Sequence, residues 1–144
     1  MVAKVRASDT YAARRERLAR QLQAANGPVA LKKNSSNLFR DRDRAGKPRL
    51  DVHDFNHILQ VDPVGGWVDA EGMTPYEKLV LATLACGAMP TVVPQLKTIT
   101  LGGAVAGVGI EASSFRHGLV HQGVLEMDVL AGDGNVYLLS LIHI

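Results

Sequence analysis

A glycine-rich but varied stretch, residues 94–114, constrains most strongly what this chain can fold into. Its glycines are Gly102, Gly103, Gly107 and Gly109, and its hydroxyl donors include Thr100, Ser113 and Ser114. Glycine lets the backbone approach a ligand closely and permits a positive φ where a turn requires one. Because groups of exposed backbone amides bind phosphate, the stretch predicts an anion-binding segment for a phosphate or pyrophosphate.

Length and composition predict one ordinary globular core. The chain has 144 residues, of which 47% are hydrophobic and 21% are charged, which is sufficient for one domain. A net charge of +2 is too small to indicate a polyanionic partner by itself. The single cysteine, Cys86, excludes an internal disulfide framework and favours a reducing compartment, so we expect a cytoplasmic protein. The longest aliphatic run, residues 79–86, is too short to span a bilayer.

The first half of the chain predicts a helix followed by short strands. Leucines at helical spacing, surrounded by arginines, predict an amphipathic helix over residues 11–25 that ends at Asn26-Gly27-Pro28. Short β-like runs follow at residues 29–32, 50–53, 58–62 and 66–70, and the last two resemble a hairpin.

The second half predicts a capped helix, further strands and an α+β fold. Thr74, Pro75 and Glu77 have the spacing of a capping box, with Gly87 as the end of the helix. Residues 91–93 predict a short buried strand, residues 123–130 predict a half-buried strand, and Asp133-Gly134 predicts a hairpin turn. Because strands and helices do not alternate regularly, the pattern favours α+β over a doubly wound sheet.

The last residues are unusually apolar. Residues 136–144 are almost wholly apolar, whereas domain boundaries normally fall in polar stretches. We therefore expect the front part of a longer protein, incomplete at its C-terminus. Residues 137–144 form an apolar tail whose final Leu-Ser-Leu-Ile-His-Ile resembles a translated sequencing-adapter tail and would not be native in that case. A genuine terminal strand is the alternative.

Several motifs together carry a family resemblance. They are Ser36-Asn37-Leu38-Phe39-Arg40, Leu50-Asp51-Val52, and the run from Val93 through Thr100-Leu101-Gly102-Gly103 and Gly107-Val108-Gly109-Ile110-Glu111 to Gly118-Leu119. They resemble the PCMH-type flavin-binding domain of the vanillyl-alcohol oxidase and p-cresol methylhydroxylase superfamily, and most of all its delta-24 sterol reductase branch. The resemblance covers residues 14–136 and is most specific between residues 94 and 119.

The resemblance implies a two-part FAD-binding domain made of two α/β subdomains, followed by a substrate domain that this chain lacks. It divides the chain into a basic helix (1–27), a truncated FAD-binding domain (28–136) and the tail (137–144). The implied FAD contacts come from one long segment and, across the pyrophosphate, from a second loop. They are Thr100, Leu101, Gly102, Gly103, Ala104, Val105, Ala106, Gly107, Val108, Gly109, Ile110, Glu111, Ala112, Ser113 and Ser114, with Ser35, Ser36 and Asn37 in the second loop.

The resemblance further implies an FAD-dependent oxidoreductase. The second loop, residues 32–37, departs from relatives in having no diglycine and no histidine for covalent attachment, so non-covalent FAD is implied. A reductase would use NADPH to load the flavin and then reduce a carbon–carbon double bond of a sterol-like small molecule. An oxidase would instead take hydride from an alcohol. The resemblance assigns no catalytic residue in this chain, no metal and no nucleic-acid partner.

Other interpretations of the same residues stay open at this point. Residues 107–112 match G-x-G-x-x-G/A, with Asp128 as the acidic residue of a dinucleotide fold, although the upstream and downstream glycines give the wrong context. A glycine-rich turn without a ligand is the simplest alternative. The pairs His53/His57 and His117/His121 have metal-like spacing, yet neither segment resembles a helix.

A non-enzymatic basic module is the alternative function. In that reading the arginines of the first helix bind nucleic acid or an acidic partner, although a solvated helix face is the simpler prediction. Cys86 is expected to be buried on the second helix. Glu111 is expected either to bind a ribose hydroxyl or to cap a local turn.

Overall fold

A computed structural model describes residues 10–33 and 46–140, and it combines helices with small sheets as predicted. The elements in order are α1 (Tyr11–Gln23), β1 (Ala30–Lys32), β2 (Arg49–Asp51), β3 (Ile58–Asp62), β4 (Trp67–Ala70), α2 (Tyr76–Leu84), α3 (Leu101–Ala106), α4 (Ser114–His117), a 3-10 helix (Val120–Gly123), β5 (Glu126–Leu130) and β6 (Val136–Ser140). The strands pair two by two: β1 with β2 in parallel, β3 with β4 antiparallel, and β5 with β6. No helix among the described residues is both long and apolar enough to cross a membrane.

The chain divides into two compact units. The first comprises Met1–Asp54 and Met127–Leu139, and in it α1 packs against β2. The start of α1 is capped by the Thr10 side chain, which accepts a hydrogen bond from the Ala13 amide at 3.2 Å. Asp128 on β5 accepts hydrogen bonds from the Tyr11 hydroxyl at 2.9 Å and from Arg15 at 2.7 Å. These bonds attach α1 to β5 within the first unit.

The parallel pair of the first unit is short but specific. Leu31 lies opposite Leu50, and Lys32 lies opposite Asp51 with an ion pair of 2.7 Å between their side chains. Leu50 and the following Val52 are buried. The hydrogen bonds from Lys32 and from His53 lower the pKa of Asp51 below its ordinary range.

The second unit is centred on Phe55–Glu126 and contains the hydrophobic cluster around α2. Its fully buried members are Tyr76, Leu79, Val92, Ala104 and Val120. Partly buried side chains of the β3–β4 hairpin and of α3 pack against this cluster. Two residues from α2, one from the loop after it, one from α3 and one from the 3-10 helix thus form a common core, which fixes the position of the glycine-rich segment.

The segment that joins β4 to α2, residues 71–77, lies at the centre of this unit, and we call it the central segment. On one side it bonds to the chain before β3, because the amides of Glu71 and Met73 donate to the carbonyls of His57 and Phe55. On the other side its amides at Tyr76 and Glu77 donate to the carbonyls of residues 99 and 97. The central segment therefore connects the hairpin to the start of the glycine-rich segment.

The predicted capping box at the start of α2 is wrong. The N-cap residue is Pro75, and no side chain caps the helix. Thr74 is fully buried and donates its hydroxyl to the carbonyl of His57 at 3.2 Å, while Glu77 pairs with Lys97 at 3.1 Å. Both side chains of the expected box are engaged in tertiary contacts, which local spacing does not reveal.

Two further sequence predictions need correction. Residues 91–93 are not a strand, although Val92 is buried in the core; an apolar run indicates burial and does not by itself distinguish conformations. The strand predicted over residues 123–130 begins only at Glu126, because Gly123 belongs to the 3-10 helix. The turn at Asp133-Gly134 is confirmed, with a φ of 81° at Gly134.

Candidate functional site

The first part of the glycine-rich segment is helical, and its amides are bound within the protein. The Thr100 side chain caps α3 by accepting a hydrogen bond from the Gly103 amide at 3.2 Å. The amides of Leu101 and Gly102 donate to carbonyls of the central segment at 2.8 and 2.7 Å, and the amide of Ala104 donates to Thr100 at 2.9 Å. The amino end of α3 therefore presents no unpaired amide among these four.

Close packing explains two of the glycines. A Cβ on Gly102 would lie 2.9 Å from the carbonyl oxygen of Gly72. A Cβ on Gly109 would lie 3.0 Å from the Val120 side chain and 3.3 Å from a carbonyl oxygen of α3. None of the four glycines has a positive φ, which in this segment falls on Val108, at 52°.

After α3 the chain forms a compact turn, residues 110–115, which we call the amide turn. The Glu111 amide donates to the Ser114 hydroxyl oxygen at 3.0 Å, and the Ser114 amide donates back to the Glu111 carbonyl at 2.9 Å. The Glu111 carboxylate accepts from the Gln95 amide at 3.2 Å, and the Ser113 hydroxyl donates to the Thr91 carbonyl at 2.9 Å. Side chains of the turn thus attach it to residues 91–95. The Glu111 carboxylate contacts Gln95, sixteen residues earlier, and its predicted bond to a ribose hydroxyl stays a prediction.

Four backbone amides of the amide turn have no hydrogen-bond partner among the residues that the structure describes. They belong to Ile110, Ala112, Ser113 and Phe115. Ile110 and Phe115 are 71% and 92% exposed. An exposed amide is satisfied by water or by a bound acceptor, and several within six residues suit an oxyanion. Such amides are donors of the kind that a phosphate accepts from, and Phe115 lies one residue beyond the predicted site.

The three predicted hydroxyl donors have different roles. Thr100 is buried, 7% exposed, and its oxygen caps α3. The hydroxyl hydrogen of Ser113 is used by the Thr91 carbonyl. Thr100 and Ser114 both use their hydroxyl oxygens as acceptors, and since Thr100 is buried, Ser114 is the one of the three whose hydroxyl hydrogen is better placed to reach a ligand.

The other predicted contacts fall into two groups. Within α3, Ala104 is a buried core residue and Val105 packs beside the core, so both contribute mainly to packing. The Gly107 amide donates to the Gly103 carbonyl at 2.9 Å. The predicted second loop, with Ser35, Ser36 and Asn37, lies outside the described residues.

The histidine pairs do not form a metal centre in the described part of the chain. No group of three or more potential metal-ligating side chains occurs there. His53 contacts the Asp51 carboxylate at 2.7 Å, and His57 contacts the Glu71 carboxylate at 2.6 Å. His117 ends the four-residue α4, so this pair does touch a helix, although a very short one.

The dinucleotide fingerprint lacks its structural context. Gly107 follows a helix, α3, where the fingerprint requires a strand, and a helix of only four residues follows it. The acidic residue proposed for it, Asp128, binds Tyr11 and Arg15 instead. The match at residues 107–112 is therefore a coincidence of glycine spacing.

The arginines of α1 form a solvated face only in part, in which Arg17 and Arg20 are exposed. Arg14 is buried, 8% exposed, Arg15 pairs with Asp128 at 2.7 Å, and Arg20 pairs with Glu16 at 3.2 Å. These contacts disfavour the nucleic-acid module, because such a face would need its charges available to phosphates. The expected burial of Cys86 is wrong: α2 ends at Leu84 and leaves the thiol exposed.

Comparison with known proteins identifies the family to which the chain is similar. The family described as the FAD binding domain matches residues 11–140. The chain is 34% identical to cytokinin dehydrogenase 2 of Oryza sativa subsp. japonica over 82 residues, which is 57% of this chain and 14% of that relative. It is 28% identical to the delta(24)-sterol reductase of Pisum sativum over 96 residues, or 67% of this chain and 17% of that relative.

A third relative extends the same pattern. Cytokinin dehydrogenase 7 of Oryza sativa subsp. japonica is 36% identical over 74 residues, which is 51% of this chain and 14% of that relative. The chain thus spans less than a fifth of the length of the curated relatives it matches. The family match, in contrast, covers nearly all of the chain and both compact units. This chain therefore belongs to the FAD-binding domain family, of the PCMH type to which its sequence motifs pointed.

Proposed function

We propose that this chain is the FAD-binding part of an FAD-dependent oxidoreductase and that its amide turn holds the pyrophosphate of FAD. The observation that supports this most directly is the group of four amides in residues 110–115 that have no hydrogen-bond partner within the described part of the chain. The amides at the start of α3 are already bound inside the protein, so we assign the phosphate contacts to the turn. The remaining predicted contacts, residues 100–109, would shape the site by packing.

Simple energetics support the amide turn as an anchor. Each hydrogen bond to a charged acceptor contributes about 1.5–3 kcal/mol. Four of them could supply about 8 kcal/mol, which corresponds to roughly micromolar binding before the entropic cost of association is subtracted. The turn would therefore contribute a large part of the affinity, and contacts to the two ring systems would add to it.

The proposed reaction is hydride transfer through FAD. The bound flavin supplies the hydride chemistry, while the protein binds and orients it. The relatives are named as dehydrogenases and as a reductase, so two reactions compete: reduction of a carbon–carbon double bond with NADPH as electron donor, and oxidation of a small molecule such as an alcohol. The proposed substrate is a small molecule, sterol-like in the reductase case. We assign no catalytic residue to this chain.

The finer predictions from the resemblance become part of this proposal. We assign the two compact units to the two α/β subdomains of a PCMH-type domain, with residues 28–136 as the FAD-binding region. FAD binding would be non-covalent, because the loop at residues 32–37 has no histidine. Ser35, Ser36 and Asn37 remain proposed pyrophosphate contacts. The proposed location is the cytoplasm, on the basis of the single cysteine.

A direct test is the flavin content of the purified full-length protein. We expect a yellow protein whose melting temperature rises when FAD is added, since a ligand present at about 100 times its Kd stabilises the native state by about 2.7 kcal/mol. Acid precipitation should release the flavin into the supernatant, whereas a covalent flavin would remain in the pellet. A colourless protein that shows no shift with FAD, and that binds nucleic acid in a salt-sensitive way, would contradict the proposal.

A further inference from the structure

The second unit contains a buried carboxylate, on Glu71, that the proposed cofactor contacts do not use. The Glu71 side chain is 0% exposed, whereas the side chain of its partner His57 is 50% exposed. The Glu71 carboxylate accepts from the His57 amide at 2.8 Å and contacts the His57 ring nitrogen Nδ1 at 2.6 Å. The Glu71 amide in turn donates to the His57 carbonyl at 2.9 Å. A buried carboxylate is costly unless it is hydrogen-bonded, so these contacts fix both residues.

Glu71 is the first residue of the central segment, which carries the start of α3. The carbonyl of the next residue, Gly72, accepts from the Gly102 amide at 2.7 Å, and the carbonyl of Thr74 accepts from the Leu101 amide at 2.8 Å. The approach of Gly102 to Gly72 is so close that a Cβ on Gly102 would lie 2.9 Å from the Gly72 oxygen. A shift of the central segment would therefore shift α3.

The amide turn is attached to the other end of α3. The Gly109 amide donates to the Ala104 carbonyl at 2.8 Å, and the Gly109 carbonyl accepts from the Val120 amide at 3.0 Å. Ile110, the first residue of the amide turn, follows directly. The Glu71 carboxylate is thus connected to the candidate phosphate donors by alternating hydrogen bonds and stretches of covalent chain: the central segment bonds to the start of α3, and Gly109, bonded to Ala104 and Val120, precedes the amide turn.

We infer that Glu71 is a positioning residue for the cofactor site: its carboxylate holds the central segment against the chain before β3, and the central segment in turn sets the position of α3 and of the amide turn. The effect on FAD binding rests on the proposed function, whereas the positioning of α3 does not. Because one carboxylate oxygen receives both bonds from His57, the role depends on a hydrogen-bond acceptor at this place. A glutamine at residue 71 keeps an acceptor oxygen at this place, so it should preserve most of the positioning role.

The test compares Glu71→Ala with Glu71→Gln in the full-length protein, by hydrogen exchange without FAD and by FAD titration. In Glu71→Ala we expect the Leu101 and Gly102 amides to exchange about tenfold faster and FAD to bind about tenfold more weakly, as for the loss of one buried charge-assisted hydrogen bond. Glu71→Gln should stay within about threefold of the wild type in both measurements. The matched control is Glu77→Gln, which replaces a half-exposed carboxylate of the same segment, weakens its ion pair with Lys97 and keeps the Glu77 amide bond to the Lys97 carbonyl; because solvent-accessible ion pairs contribute little, it should change neither measurement by more than about twofold.

Two results would overturn the inference. One is wild-type exchange at Leu101 and Gly102 in Glu71→Ala; the other is an equal increase in exchange throughout α2 and α3, which would mean a general loss of stability. If Glu71→Ala does not fold, His57→Ala, which removes a half-exposed ring and one bond to Glu71, should show the same local increase at these amides. If the wild type does not bind FAD, the proposed function fails, and exchange at Leu101 and Gly102 alone decides whether Glu71 positions α3.

Discussion

The closeness of the neighbouring backbone explains why residue 102 is a glycine. Its amide donates to the Gly72 carbonyl at 2.7 Å, and the two backbones approach too closely for a Cβ. In sequence the same residue resembles part of a phosphate-binding loop. At the scale of single residues, the reason for a glycine therefore depends on the atoms beside it, and phosphate binding by this segment stays a prediction.

Gly102→Ala should destabilise the protein. The new Cβ would lie 2.9 Å from a carbonyl oxygen that belongs to backbone and cannot move aside easily. We expect a loss of about 1–3 kcal/mol in the free energy of unfolding, measured by urea denaturation. Gly132→Ala is the control, because a Cβ there meets nothing within 4 Å. Equal stability of the two variants would show that the Gly72–Gly102 contact is looser than described.

Two substitutions at Ser113 separate its amide from its hydroxyl. Both Ser113→Ala and Ser113→Pro remove the hydroxyl that donates to Thr91, but only proline also removes the unpaired amide. The φ of Ser113 is −79°, which proline tolerates. We expect Ser113→Pro to bind FAD about tenfold more weakly than Ser113→Ala, as for one lost charge-assisted bond. Equal affinities in a fluorescence titration would exclude this amide from the site.

At the scale of elements, α1 is part of the first unit and does not form a separate basic face. Tyr11 and Arg15 both bind Asp128 on β5, and Arg15 also lies 5.6 Å from the centre of the Tyr11 ring. Burial, followed by the hydrogen bond to Asp128, raises the pKa of Tyr11 to about 12. The separate hydrogen bond from Arg15 to Asp128 raises the pKa of Arg15. Helix α1 forms as predicted, but tertiary contacts determine which groups its arginines bind.

The raised pKa of Tyr11 predicts a loss of stability at high pH. The native chain keeps the Tyr11 proton up to a pKa of about 12, whereas the unfolded chain loses it near the ordinary pKa of 10.0. Stability should therefore be complete below pH 10 and decline as the pH rises towards 12. Tyr11→Phe should remove part of this decline in urea denaturation between pH 9 and 11.5. Tyr76, whose pKa is raised by burial, and Tyr137, whose pKa is raised by its bond to Asp133, account for the rest.

For Tyr11→Phe the measurement at neutral pH is equally informative. There the variant should be less stable by about 0.5–1.5 kcal/mol, the usual contribution of one hydrogen bond. If the stabilities of the wild type and the variant decline in parallel above pH 10, the pKa of Tyr11 is the same in the native and unfolded states. The pH dependence would then belong to the other tyrosines.

At the scale of the whole molecule, the family match covers residues 11–140, whereas the alignments cover 14% to 17% of the named relatives. The FAD-binding domain can therefore be stated for this chain, while the reaction and the substrate are proposals. In the proposed site the amide turn recognises the diphosphate, which distinguishes the dinucleotide from the free flavin. That distinction can be measured without knowing the substrate.

ADP and riboflavin should behave differently towards the full-length protein. ADP contains a diphosphate that the four unpaired amides could bind, so we expect it to compete with FAD in a fluorescence titration. Riboflavin has the flavin ring but no phosphate, and it should bind at least about tenfold more weakly than FAD, because each lost charge-assisted bond corresponds to about a tenfold change. Equal binding of riboflavin and FAD would mean that the phosphates contribute little and that the amide turn is not the anchor.

From sequence alone, turn residues and hydrophobic periodicity predicted the β3–β4 hairpin and the helix α1, because these signals are local, and the resemblance of its motifs pointed to the family. The role of residues 100–114 in binding FAD stays a prediction. Only the tertiary structure decided which amides are unpaired, since the central segment uses those of Leu101 and Gly102. Tertiary contacts likewise explain why the Thr74 hydroxyl donates to the His57 carbonyl, seventeen residues away, and residues 91–93 have no regular secondary structure. Hydrogen-bond partners far apart in the chain are set by packing, which local patterns do not encode.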